Sequence, residues 1–333
     1  MAPRISVLLP CFNHGAFIRE AIESVRAQTF QDFEIVIVDD GSTDAETVAT
    51  LDALAGPRAR VLRTANRGLP AARNHAAADA AGELFCALDA DDRLAPRWFE
   101  KAVTVLDARP GFAFVSHWLE TFGDERWSWT PEACDLPSLL ARNAVNGAAL
   151  VRRDAFLSVG GYDESMREGC EDWDFWLRLV ESGHQGHIIP EVLFYYRRRA
   201  GSMSRLMLEA HAYRRPLQAL VGKHAAFYEA HLVPVLVAKE REALHLANEI
   251  SELERGRLMV LEPQLRRARE DLSAASAKAA RARAYREKEE ERERLAWKAG
   301  ELEREVADLR RSWSWRITAP LRRLFELAGG GRR

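Results

Sequence analysis

Leu88-Asp89-Ala90-Asp91-Asp92 follows an apolar run, Leu84-Phe85-Cys86-Ala87-Leu88, that reads as a buried strand. Carboxylates at the end of such a strand make a poor core. Each unpaired buried charge costs several kcal/mol, so the cluster is expected to open onto a cleft. A hard divalent ion takes one or two carboxylates and completes its shell with substrate phosphates and water. An Asp-x-Asp behind a strand therefore points to chemistry on a diphosphate, although a short acidic string on a solvated turn would look the same in isolation.

Three further stretches carry groups of this kind. Val38-Asp39-Asp40-Gly41-Ser42-Thr43-Asp44 puts two acids directly after another apolar run. A carboxylate there can accept two hydrogen bonds from a uracil-like base edge or a ribose diol, and Ser42 or Thr43 can cap the helix that follows. In Asn66-Arg67-Gly68-Leu69-Pro70-Ala71-Ala72-Arg73-Asn74, Gly68 permits a tight approach and Arg73 can meet either a phosphate or a strand-end acid. In Gly169-Cys170-Glu171-Asp172-Trp173-Asp174-Phe175-Trp176, the acids crowd a helix N-terminus, where the dipole favours them. The neighbouring Trp173 and Trp176 are the kind of residue that desolvates a carboxylate and tunes it as a base.

The elements that must position these residues alternate short apolar runs with amphipathic segments up to about Arg205, the pattern of an α/β domain. Strands are expected at Ile5–Leu9, ended by Pro10, and at Glu34–Val38, Val61–Arg63, Leu84–Leu88 and Phe112–Ser116. Helices are expected at Phe17–Ala27, Leu69–Ala81 and Pro96–Ala108. Ligands of parallel sheets sit beyond the carboxyl ends of the strands, so Pro10, Asp39-Asp40 and Asp89-Ala90-Asp91 are expected to share a crevice.

The chain has 333 residues, 47% of them hydrophobic, and a net charge of -2, which gives no global attraction to nucleic acid. Its four cysteines are scattered and form no Cys-x-x-Cys pair, which suits a reducing cytosol rather than a disulfide framework. No basic stretch followed by a long apolar run opens the sequence, so no secretory leader is expected. No segment is apolar over the ~18 residues a bilayer requires. No Gly-x-Gly-x-x-Gly follows the first strand, which excludes a dinucleotide oxidoreductase.

Residues 206–238 read as helical. Residues 239–311 read as a coiled coil or long charged helix, with Leu295, Ala299, Leu302, Val306 and Leu309 spaced as a seam. Gly256 and Pro263 are expected to interrupt an earlier seam. The Leu295–Leu309 seam needs a partner strand, and a homodimer is the simplest source of one. Residues 312–333 mix Trp313, Trp315 and Ile317 with Arg316, Arg322 and Arg323, a composition suited to a membrane interface or to packing on a partner.

The motifs of residues 5–205, in this order and spacing, resemble the inverting family-two glycosyltransferases of the GT-A fold. The resemblance implies a Rossmann-like mixed sheet flanked by helices, with an α-helical extension following it. It implies that Pro10, Asn13, Asp39, Asp40, Asn66, Arg73 and Asp89 hold a nucleotide, most often UDP. It implies that Asp91, with Asp89 and Asp92, holds Mn²⁺ or Mg²⁺, and that Asp172, beside Glu171, is the base. Where such enzymes often carry a His before a Gly-Ser-x-Ser turn, this chain has Arg199. Arg199 and Arg197 are therefore expected on the diphosphate rather than on the metal. Ser314-Trp315-Arg316-Ile317-Thr318-Ala319-Pro320-Leu321-Arg322 is similar to a tail behind some bacterial surface-polysaccharide enzymes. The expected activity is sugar transfer to a glycan or lipid-linked acceptor in O-antigen or capsule synthesis, in the cytoplasm or on the inner face of the plasma membrane. The alternative is a non-catalytic nucleotide-sugar-binding scaffold that assembles a glycan-synthesis complex through its coiled coil.

Overall fold

The structure, a computed structural model, describes residues 2–202, 213–281 and 287–311. The chain divides into two compact units, Met1–Ala238 and Lys239–Arg333.

The first unit is a mixed α/β sheet covered on both faces, the GT-A arrangement. Strands β1 (Ile5–Cys11), β2 (Phe33–Asp40), β3 (Ala59–Thr64) and β4 (Leu84–Ala87) are parallel neighbours in the order β3-β2-β1-β4. The sheet continues through β8 (Leu150–Arg152), β6 (Phe112–Gly123), β9 (Gln185–Arg198) and β5 (Arg93–Leu94), with β7 (Ser128–Trp129) paired to β6. β8 runs antiparallel to both β4 and β6, and β9 runs parallel to β6. The register sets Cys11 beside Asp39, Asp39 beside Arg63 and Asp40 beside Thr64, so the first three strands end level with one another.

Period-two alternation explains why both faces are dry. Ile5, Val7 and Leu9 of β1 and Ile35 and Ile37 of β2 pack into one core, with Ile18, Ile22 and Val25 of α1 (Gly15–Arg26) and Phe99 and Leu106 of α4 (Trp98–Ala108). Leu8, Val36 and Val38 face the other, with Ala72 and Ala76 of α3 (Leu69–Asp79), Leu139 of α5 (Leu136–Ala141), Phe156 of α6 (Arg153–Ser158) and Phe175 and Trp176 of α7 (Glu171–Glu181). Cys11, Cys86, Cys134 and Cys170 are free thiols, all buried.

Two local expectations change. The cap of α2 (Ala45–Leu54) is Asp44, not Ser42 or Thr43; its carboxylate accepts the N–H groups of Glu46 and Thr47. Ser42 and Thr43 are instead drawn to Asn13. β6 extends seven residues past the expected strand end at Ser116, because β9 supplies a long partner edge for its mixed-polarity half.

After β9 come α8 (Arg214–Lys223) and α9 (Ala225–Ala230), then α10 (Leu232–Arg281) and α11 (Glu287–Arg311). α10 continues through both Gly256 and Pro263. In the second unit Leu258, Leu261, Leu265 and Ala268 of α10 bury against Ala299, Leu302 and Val306 of α11. Ion pairs Arg257–Glu305, Glu262–Arg310 and Arg269–Glu303 flank this contact. The seam expected to recruit a second chain is closed by a helix of the same chain. Residues 312–333 lie outside the described residues, as does the tail motif within them. No described helix is long and apolar enough to cross a membrane.

Candidate active site

The site is built at the level strand ends. Asp39 and Asp40 are the last two residues of β2, and both are buried. Asp39 accepts the Ser42 N–H at 2.9 Å and lies 3.7 Å from Arg63. Asp40 turns the other way and accepts the N–H groups of Arg67 and Gly68, each at 2.8 Å. It thereby shapes the loop that enters α3, where Gly68 has φ +94°. Gly41 is required here, with φ +76° and an added Cβ only 2.7 Å from the Asn66 nitrogen. Asn13, at φ +55°, accepts the N–H groups of Thr43 and Asp44 and donates to the Thr43 hydroxyl. Pro10 is buried inside β1.

The Asn13 amide and the Asp40 carboxylate hold the crevice floor, and the buried Asp40 satisfies its lone pairs on nearby backbone N–H groups. Asn66 is exposed on the loop these bonds fix.

Behind β4 the acids separate by environment. The Asp89 side chain is 36% exposed and the Asp91 side chain 14% exposed. Asp92 is buried and accepts the Arg197 N–H at 2.7 Å. Burial, then the charges of Asp91 and Asp89, push the Asp92 carboxyl well above the usual range. Asp92 forms a wedge under the turn. The Arg197 guanidinium bonds Glu20 and the Asp91 carbonyl and lies between the rings of Phe17 and Phe122, at 5.0 and 4.3 Å, so it braces the turn.

Arg199 does meet the acids. Its Nε donates to Asp91 at 3.0 Å, and its Nη2 lies 2.7 Å from Nε2 of His14. Burial lowers the His14 pKa, with Asp91 opposing and Arg199 reinforcing, so the imidazole is the neutral acceptor of that bond. His14 carries no motif; it stands at the N-cap position of α1, three residues beyond the end of β1, and that position is its only signal in the sequence.

Arg73 joins the two halves of the site. It is 2% exposed and sits on the buried face of α3, under the ring of Tyr162 at 5.2 Å. One terminal nitrogen donates to Asp89 and the other to Glu171, each at 2.7 Å. Of the sequence's two alternatives for Arg73, the structure shows the strand-end acid, with a second acid from α7.

At that helix start Gly169 and Cys170 both have positive φ, which delivers Glu171 and Asp172 into the site. Asp172 accepts the Trp173 N–H at 2.7 Å and the Asn143 amide at 3.1 Å. Burial and then Glu171 push its carboxyl up to about 7, against the opposing effects of Arg73, the Trp173 N–H and Asn143. A carboxylate poised there can take a proton near neutral pH. Asn143 had no sequence signal at all. Asp174, one turn on, is tied to Arg178, Lys223 and His224 and lies outside this chemistry.

Among the described residues no three His, Cys, Asp or Glu side chains cluster to hold a metal unaided. Asp89 and Asp91 nevertheless fit a Mg²⁺-like ion, which needs only one or two carboxylates when phosphates complete its shell. Arg199 already places a positive charge on Asp91, as such an ion would.

The comparisons with known proteins agree with this geometry. The profile of Glycosyl transferase family 2 matches residues 6–159, and that of Glycosyltransferase like family 2 matches residues 128–243. The putative glycosyltransferase EpsE of Bacillus subtilis (strain 168) is 27% identical over 211 residues, covering 61% of this chain and 76% of its own. A glycosyltransferase of Haemophilus influenzae is 28% identical over 185 residues, covering 53% of this chain and 62% of its own. The crystal structure of S. aureus TarS 1–349 in complex with UDP-GlcNAc superposes with a TM-score of 0.53 at 20% identity, over 60% of either chain, and so supports the fold. Two overlapping profiles, on a GT-A sheet with its acids at the strand ends, make residues 6–243 similar to the domains of glycosyltransferase family 2.

Proposed function

We propose that the chain transfers a sugar from a nucleoside-diphosphate sugar to an acceptor hydroxyl with inversion at the anomeric carbon. The observation that carries this reading is the Asp89–Arg73–Glu171 bridge, which fixes a strand-end acid beside an aspartate of near-neutral pKa. In this reading Asp39 and Asp89 meet the nucleoside. UDP is the nucleotide favoured, and the UDP-GlcNAc bound to TarS supports it.

Asp172 accepts the proton of the acceptor hydroxyl as its oxygen bonds to the anomeric carbon. The bond from that carbon to the diphosphate oxygen breaks on the opposite face. The leaving diphosphate gains negative charge, which Arg199 is placed to offset. Mn²⁺ or Mg²⁺ held by Asp89 and Asp91 would supply Lewis-acid stabilisation of the same oxygens. Inversion is the outcome expected of direct attack by the acceptor oxygen with Asp172 as the base. The acceptor proposed is a glycan or lipid-linked glycan of a surface polysaccharide such as O-antigen or capsule. The location proposed is the cytoplasm, with the basic aromatic stretch 312–333 touching the inner face of the membrane.

Thermal-shift measurement with UDP, dTDP and GDP, with and without Mn²⁺, tests the donor. One nucleotide should raise Tm selectively by mass action. Release of free sugar or transfer product from the matching donor then separates an enzyme from a binding scaffold. A chain that binds a nucleotide sugar but neither hydrolyses nor transfers it would overturn the catalytic reading.

A further inference from the structure

α10 carries a second apolar stripe that the hairpin does not use. Ala243, Leu246, Ile250, Leu253 and Val260 fall at alternating three- and four-residue steps once Arg257 is counted between the last two, the spacing of a heptad seam. They are distinct from Leu258, Leu261, Leu265 and Ala268, which pack on α11. Leu246 is 50% exposed, Ile250 40%, Leu253 75% and Val260 59%. An exposed apolar row of this kind, broken by Arg257 alone, on a charged helix marks an interaction surface.

The charges around the row identify its partner. From Lys239 to Glu254 there are five acids and two bases; from Arg255 to Arg269 there are five arginines and one acid, of which Arg257, Arg269 and Glu262 pair with α11 and Arg255, Arg266 and Arg267 keep that half basic. A second copy laid antiparallel sets each acidic half on a basic half, whereas a parallel copy sets like on like. Leu253 lies at the change of sign, so a two-fold axis there makes the surface complementary to itself.

We propose that this stripe of α10 is a homodimer interface in which the α10 helices of two copies pair antiparallel about Leu253. It is independent of the glycosyl-transfer reading. With α11 behind each α10, the result is a four-helix bundle.

Sedimentation velocity on the full chain tests the assembly. The native protein should sediment with the mass of two chains, and Ile250→Gln/Leu253→Gln with the mass of one. Both substitutions are at exposed positions and leave the hairpin core untouched, so far-UV circular dichroism should be unchanged. A monomeric native chain, or a variant that remains dimeric, overturns the proposal. Orientation is read by single cysteines, because the four native thiols are buried. Leu253→Cys should form an interchain disulfide under mild oxidation. Ala243→Cys should not, because ten residues either side of the axis separate its two copies by ~30 Å. Equal crosslinking of both overturns the antiparallel arrangement. Glu240→Arg and Arg266→Glu, thirteen residues to either side of the axis and so opposite one another, should each weaken self-association alone and restore it as a heterodimer when mixed. Failure to pair on mixing counts against charge as the selector.

Discussion

The strand ends and the start of α7 each present acids to the same crevice, yet they treat them in opposite ways. At the strand ends Asp40, Asp89 and Asp91 have each found compensating partners, while Asp92 lies buried beneath them. Asp40 holds two backbone N–H groups, Asp89 holds Arg73, and Asp91 holds Arg199. At α7 two adjacent acids share one arginine. Arg73 meets Glu171 directly, and Asp172 is left with an amide and one N–H, so its carboxyl rises to about 7. Charge compensation, more than residue type, divides groups fit to hold a cation or fixed structure from a group fit to take a proton.

The sharpest way to break this contrast is Asp172→Asn, which keeps the shape and removes the proton acceptor. Transfer should fall by roughly 10²–10⁴-fold with donor affinity nearly intact. Turnover and calorimetric binding on one preparation check both halves, and near-normal turnover would move the base elsewhere. The same residue predicts the pH dependence. Its rate contribution should rise with pH through about 7 as the carboxyl ionises. Its stability contribution has the opposite sign. The folded state holds the proton more tightly than the unfolded chain, so stability is lost as pH rises from the ordinary 3.8 to about 7. Asp172→Asn should flatten that decline in denaturant midpoints measured across the range.

Arg73→Met tests the bridge. It leaves Asp89 and Glu171 without their shared cation, a loss of about 3–5 kcal/mol for a broken buried pair. Asp89→Asn/Glu171→Gln in the same background should recover much of the lost Tm, because the uncompensated charges are then gone. No recovery would mean that Arg73 matters for packing alone.

A smaller effect separates the two acids of the turn. Asp91→Ala should weaken divalent-dependent donor binding in calorimetry, while Asp92→Asn, which changes a buried carboxyl beneath the turn, should leave metal dependence unchanged. Equal effects would erase the distinction between an acid facing the crevice and one beneath it.

The smallest change concerns the clamp on the far side of α7. Burial pulls the His224 pKa down, but its bonds to Asp174 and Glu181 outweigh this and raise it. Its share of stability is present at low pH and fades as pH rises past its raised pKa. His224→Gln should remove that slope with little effect on donor binding, as followed by chemical denaturation at several pH values.

Periodicity and residue type in the chain alone determined the parallel strands, the amphipathic helices, the acids at the strand ends and the change to a charged helical region near residue 239. These are readable because a buried strand must be apolar and must stop where carboxylates begin. Tertiary structure alone decided what each polar group is used for. Asn13 and Asp40 become loop braces because the loops after β2 and β3 bring backbone N–H groups onto them. Asp92 and Arg197 become supports because β9 returns beneath the β4 turn. His14 and Asn143 enter the site from positions with no motif. The Leu295–Leu309 seam shows the same limit in the second unit. Its spacing demanded a partner helix, but only the fold could supply that partner from the same chain and leave another face of α10 open. Spacing along a chain fixes which side chains share a face. Which groups come to oppose that face depends on contacts between residues far apart in sequence, and those exist only once the chain has closed on itself.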